Sequence, residues 1–231
     1  MLDGVAASVG SRGQVFDDFL TMTVCTLAGG TMEEEYLATV ARYTEGEKGK
    51  RPVDRLAEAF GRLVAIMEET RADILGDLFQ GGITYGERGQ FFTHENLCDL
   101  MAQLTADDKP GMGSSFCDPC CGSGRMLLAL AKLKPYARFV GQDVDLRCVK
   151  ITAINLALHN LYGYVIWGNS LANEHKLAYA TGFDGKSVIR KVPDDELKNI
   201  AVASSPMTPE TPTAPELRKD VSQGTLFDDT A

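Results

Sequence analysis

Between Gln14 and Gln80 the apolar residues recur at helical spacing: Phe16, Phe19 and Leu20 with Val24 and Leu27, then Tyr36, Leu37 and Val40, then Leu56, Phe60, Leu63, Val64 and Met67. Residues three or four apart share one face of a helix, so this stretch predicts three or four helices. Pro52 suits the first turn of the third, where its fixed φ fits and no N–H is missed, and Gly81-Gly82 ends the fourth. From Thr93 the period changes. A helix is expected over 93–104, a strand near Ser115, a helix over 125–133, a strand over 138–142, a helix over 145–160 and a strand over 164–167. The apolar run 200–203 reads as a fourth strand with a loop after it. Alternation of this kind predicts an α/β fold, a parallel sheet covered by helices. After Ser204 the chain turns rich in Pro, Thr, Ser and charge (Pro206, Pro209, Pro212, Pro215), the composition of a mobile tail. Three regions are expected: a helical region 1–82, an α/β domain 83–203 and a tail 204–231.

Length and composition narrow the classes. A chain of 231 residues with 44% hydrophobic content can bury one sizeable core plus an accessory one. No stretch approaches the roughly 20 apolar residues of a membrane span, and the N-terminus has no basic segment leading into an apolar signal core. A cytoplasmic location is expected, with no membrane partner. The six cysteines sit in apolar patterns, so no disulfide framework is expected. Cys117 and Cys120 form a Cys-x-x-Cys without a second pair at zinc-site spacing, and no metal is expected. The net charge of −9 argues against generic nucleic-acid binding, which draws its affinity from cationic contacts to phosphate. Residues 81–172, however, balance eight Lys and Arg against eight Asp and Glu. Weak DNA binding by the chain alone is expected, with a partner subunit supplying grip and sequence choice.

The candidate chemistry lies at Asp118-Pro119-Cys120-Cys121-Gly122-Ser123-Gly124, which follows the expected strand and opens into the helix at Arg125. Glycines in a strand-to-helix turn let the backbone approach a ligand, and the amides of the first helical turn favour polar or anionic groups. A second acid, Asp143, ends the next strand, where nucleotide folds place the carboxylate that holds ribose hydroxyls. A phosphate-binding loop needs Gly-Lys-Ser/Thr. Here the order is Gly124-Arg125-Met126, which excludes it.

With Gly86-Glu87-Arg88-Gly89-Gln90-Phe91-Phe92-Thr93 upstream, the pattern resembles the adenine-N6 DNA methyltransferases, especially the modification subunits of type I restriction systems. The resemblance covers residues 86–171. It implies a Rossmann-like methyltransferase fold that binds S-adenosylmethionine (SAM). Gln90, Phe91, Phe92 and Thr93 match the family's Gly-Gln-Phe-Phe-Thr-Pro segment, which helps hold the methionine end of SAM, with His94 in place of the proline. Asp118, Pro119, Gly122 and Gly124 match its Asp-Pro-x-x-Gly-x-Gly turn, and Gly141-Gln142-Asp143 its next strand end. Asn155-Leu156-Ala157-Leu158-His159 looks like its Asn-Leu-x-x-His helix. In Gly168-Asn169-Ser170 an Asn stands where the family has the Asp that contacts the adenine of SAM. The family's catalytic tetrapeptide is Asn/Asp-Pro-Pro-aromatic, whose polar groups accept from the target amino group while the ring stacks on a flipped-out base. The nearest counterpart is Ser204-Ser205-Pro206-Met207, which assigns degenerate catalytic positions to Ser204, Pro206 and Met207. The resemblance thus implies methyl transfer from SAM to adenine N6 in DNA; the alternative is a non-catalytic SAM-binding relative with an accessory or regulatory role.

The tail carries a second resemblance. Gln223-Gly224-Thr225-Leu226-Phe227 is similar to the Gln-x-x-Leu-Phe peptide by which bacterial replication and repair proteins dock on the sliding clamp, with Gln223, Leu226 and Phe227 at the anchor positions.

Overall fold

In the computed structural model the described residues are 1–83, 92–106 and 113–204. The first group forms a helical layer: α1 (Leu2–Val9), α2 (Arg12–Leu27), α3 (Glu33–Val40), α4 (Pro52–Thr70) and α5 (Ile74–Leu78), followed by a π-helical turn at Phe79–Ile83. Pro52 is the first residue of α4, as its lack of an N–H dictates, and Asp54 accepts from the Arg51 amide at 3.0 Å to close the helix start. Gly81 and Gly82 fall inside the π-helical turn. Helix α1 was not legible in the apolar pattern; Val5 is its one buried side chain.

The α/β part runs α6 (Glu95–Thr105), β1 (Ser115–Asp118), α7 (Arg125–Leu133), β2 (Arg138–Asp143), α8 (Leu146–Leu158), β3 (Tyr162–Trp167), β4 (Leu177–Thr181), β5 (Ile189–Lys191) and α9 (Asp194–Ser204). The five strands lie in sequence order, β1 to β5, in one sheet. The pairs β1–β2 and β2–β3 are parallel, with Asp118 opposite Gly141 and Asp143 opposite Trp167. That is the expected β-α-β-α-β run, and it brings the carboxyl ends of the strands to one edge of the sheet.

The sheet departs from an all-parallel one at β4, which pairs antiparallel to β3 and then to β5. The connection 168–176 explains this, because a parallel crossover takes about a dozen residues or more and this one is shorter. The run 200–203 is helical, a correction to the fourth strand expected there. Pro193 and the acids Asp194, Asp195 and Glu196 start α9, where negative charge suits the helix dipole. Leu197 and Ile200, one turn apart, then pack with Val140, Ile166 and Ala178. Ser204 is therefore the last residue of a helix and does not follow a strand.

Alternation along the strands divides the sheet into two faces. Phe139, Val165 and Tyr179 point into the main core, which continues through α7 and α8 to the helical layer. Their neighbours Val140, Ile166 and Ala178 point to α9. Helix α2 packs directly on α8, so the helical layer and the sheet share one continuous core. Buried Asp18 ties that layer internally: it accepts from Tyr43 Oη at 2.8 Å, from Arg42 Nη1 at 2.7 Å and from Gln14 Nε2 at 3.1 Å. No helix among the described residues is long and apolar enough to cross a membrane.

Candidate functional site

The turn after β1 is closed by its own backbone and by two acids. Asp118 Oδ1 accepts from the Cys120 amide at 3.1 Å, the Cys121 amide donates to Gln142 O at 2.9 Å, and the Gly122 amide donates to Asp143 Oδ2 at 2.9 Å. Asp143 Oδ1 accepts from the Asp145 amide at 2.9 Å. The ends of β1 and β2 are thereby fastened together, and the two acids of the sequence motif stand at neighbouring strand ends. The first turn of α7 begins at Arg125 and, as at any helix start, leaves amides without intrahelical partners.

Two glycines in the turn cannot be replaced without strain. Gly122 has φ +55° and a Cβ on it would lie 2.9 Å from the Phe92 ring; Gly124 has φ +86° and its Cβ would lie 2.9 Å from Thr152 Cγ2. Both positions combine a left-handed backbone with close approach of a neighbour. Thr152 Oγ1 also donates to Gly122 O at 2.9 Å, so α8 supports the turn from below.

Burial raises both acids of the turn. Desolvation pushes Asp118 up from the ordinary carboxylate range, with the Cys120 amide opposing. It raises Asp143 as well, against the amides of Asp145 and Gly122, and the charges of Asp145 and Asp118 add to the rise. Cys121 is buried and its thiol is held well above its usual value by desolvation, which makes it a packing residue and not a nucleophile.

Arg125, the cation of the turn, is already spent. Its Nε donates to Asp73 Oδ2 at 2.7 Å, its Nη2 pairs with Asp77, and its guanidinium lies 5.8 Å from the centroid of the Phe92 ring. Phosphate sites draw on free cations and backbone amides together. Here two half-buried acids flank the amides and the nearby cation is neutralised, an arrangement suited to a ligand with hydroxyls and positive charge and poor for a polyphosphate.

Phe92 and Thr93 lie beside the turn. They line a small cleft of about 80 Å³ with Asp118, Gly122 and Ser123. That volume is well below the roughly 300 Å³ of a whole small-ligand pocket. A larger hollow of about 490 Å³ lies in the helical layer between Phe16, Leu63 and Ile66, away from the converging acids and amides. His94, standing where the family has proline, caps α6, its Nδ1 accepting from the Asn96 amide at 3.3 Å. Pro119 is exposed at the start of the turn. Asn169 follows β3 beside Asp143, since the Gly168 amide donates to Asp143 O at 3.0 Å. Its Oδ1 accepts from the Leu171 amide at 3.0 Å and the Ala172 amide at 3.4 Å, which leaves Nδ2 as the group it can offer a ligand. Gln90, Phe91, Pro206, Met207 and the clamp-like Gln223, Leu226 and Phe227 lie outside the described residues.

Asp73, Phe79 and Arg147, which shape the site, carried no motif. Phe79 stacks on Phe92 with centroids 5.7 Å apart and on Phe16 at 5.9 Å, while the Arg147 guanidinium lies 4.9 Å from the Phe79 centroid. Asp73 and Asn155 bind Ser123. Asn155, the first residue of the Asn-Leu-x-x-His pattern, is a fully buried amide within α8.

The profile of the N-6 DNA methylase family matches residues 71–191, more than half of the chain and the whole span from α5 to β5. Comparison with curated proteins and with solved structures gives no match.

Proposed function

Because the chain belongs to the N-6 DNA methylase family, we propose that the turn at 118–124 holds SAM and that the chain serves methylation of adenine N6 in DNA on a Rossmann-like scaffold. The observation that carries this reading is the placement of Asp118 and Asp143 around a turn followed by an arginine, Arg125, that is already ion-paired to Asp73 and Asp77. SAM has ribose hydroxyls for a carboxylate to accept from, a positive sulfonium and no phosphate. Asp143 would hold the ribose, Asn169 Nδ2 would donate to the adenine edge, and Phe92 and Thr93 would wall the methionine end. When bound, the cofactor supplies a methyl group already activated by positive sulfur, so the protein's task is orientation and exclusion of water.

The sequence contains no two consecutive prolines, and so no Asn/Asp-Pro-Pro-aromatic element. This favours a division of labour in which a partner subunit grips DNA and handles the flipped base while this chain presents the cofactor. A non-catalytic SAM-binding role is the second reading, supported by the same absence. Labelled methyl transfer from SAM to unmethylated DNA tests both. The purified chain is expected to be more than about a hundredfold slower than a methyltransferase with its acceptors in place, since losing them costs on the order of 3 kcal/mol. Robust turnover by the chain alone would overturn the division of labour, and failure to bind SAM would overturn the reading as a whole.

A further inference from the structure

Asp73 stands 50 residues ahead of the serine it grips. Its place as N-cap of α5 uses one bond, from the Gly76 amide to Oδ1 at 2.8 Å. The remaining bonds leave the helix: Oδ1 accepts from Asn155 Nδ2 at 2.7 Å, and Oδ2 accepts from Ser123 Oγ at 2.5 Å and from Arg125 Nε at 2.7 Å. Asn155 Nδ2 also donates to Ser123 O at 2.8 Å, so residue 123 is held at both its hydroxyl and its carbonyl. A cap needs a single acceptor, which Ser, Thr or Asn supplies as well. Four donors, one of them a guanidinium, need the two acceptor oxygens of a carboxyl group, which a Ser, Thr or Asn cap lacks.

The same segment takes a second hold on the turn. Phe79, directly after α5, stacks on Phe92, and Phe92 lies against Gly122. Asp73 and Phe79 therefore grip the turn at Ser123 and Arg125 on one side and at Gly122 on the other. The fit leaves no slack at Gly76, where a Cβ would lie 2.0 Å from Asp73 Oδ2 and 2.7 Å from Ser123 Cβ. Asp73 is buried and Arg125 nearly so, and water does not weaken the pair as it would at a surface.

We propose that Asp73 is a positioning residue for the cofactor turn: through Ser123 and Arg125 it fixes the backbone that faces the ligand and holds the guanidinium in its ion pair. The cofactor's identity in this proposal rests on the reading of the site as SAM-binding; the positioning itself does not.

Two variants of the full chain test it, with hydrogen exchange of the ligand-free protein and SAM titration as readouts. Asp73→Asn keeps an acceptor for the Gly76 amide, and so the helix cap, but sets an amide where Arg125 donates. The turn amides at Ser123 and Gly124 should exchange at least about tenfold faster, with Ile151 and Ile154 in α8 unchanged, and SAM affinity should fall about tenfold or more. Ser123→Ala removes a single bond, keeps the fold, and should reproduce both effects in part, with the double variant no worse than Asp73→Asn alone. Turn exchange and affinity equal to wild type in Ser123→Ala would overturn the proposal, including when Asp73→Asn fails to fold. A lowered melting temperature with unchanged turn exchange would also overturn it, as the sign of a purely structural role. If the wild-type chain does not bind SAM, the exchange measurement still decides the positioning.

Discussion

The amide of Gly122 donates to Asp143 Oδ2 at 2.9 Å, so the acid that ends β2 ties down the turn that follows β1. One carboxylate thus serves the backbone and remains half-exposed to a ligand. Replacing it changes the shape of the turn as well as its charge, and conservative variants are the informative ones.

Gly124→Ala should disable the site while leaving the core folded. The new Cβ meets Thr152 Cγ2 at 2.9 Å on a backbone at φ +86°, so either the turn opens or α8 shifts. Strain of this kind costs on the order of 1–3 kcal/mol. Calorimetry should give SAM affinity reduced by about tenfold or more, and full affinity would show that the turn has room the geometry denies it.

The pH dependence follows from two raised carboxyls. Burial lifts Asp118 and Asp143 above the usual range, and protonation removes the negative charge and part of the acceptor capacity that each offers a ligand. SAM affinity should be full near neutral pH and fall on acidification above the ordinary aspartate value of about 3.9. For folding the sign is opposite. The native state binds more protons than the unfolded state in that interval, so the contribution of these two acids to stability grows as pH falls through their native values and is lost as pH rises. Titrations at several pH values against Asp143→Asn should show the steeper acid loss in wild type; equal slopes would contradict the assignment.

Stability of the helical layer depends on Asp18. Tyr43→Phe removes the 2.8 Å bond to Asp18 Oδ2 within a buried site, while Arg42 and Gln14 continue to donate. The expected cost is about 1 kcal/mol, or a melting temperature lower by roughly 2–4 °C for a chain of this size. SAM affinity well below the melting point should be unaltered.

The β1-α7-β2-α8-β3 run was legible because each strand ends in a recognisable signal, Asp118 with its glycines and Asp143 after Gly141-Gln142, and the helices between show clear periodicity. The run 200–203 was misread because four apolar residues fit a strand or a buried helix equally well. Its identity is set upstream, by Pro193 and three acids that start a helix, and by the packing of Leu197 and Ile200. The reversal at β4 was written in the short connection before it. What no local pattern could show is the support of the turn: Asp73 finds its partners 50 and 82 residues away, at Ser123 and Asn155, and Phe79 meets Phe92 across the chain.

The central claim, that the turn at 118–124 holds SAM through Asp143, is tested most directly by calorimetric titration of SAM into the wild-type chain and into Asp143→Ala. A carboxylate accepting from two ribose hydroxyls contributes on the order of 1.5–3 kcal/mol. The account predicts one SAM per chain, with affinity at least about tenfold weaker in a folded Asp143→Ala. Absence of SAM binding by the wild type, or equal affinity in the two proteins, would contradict it.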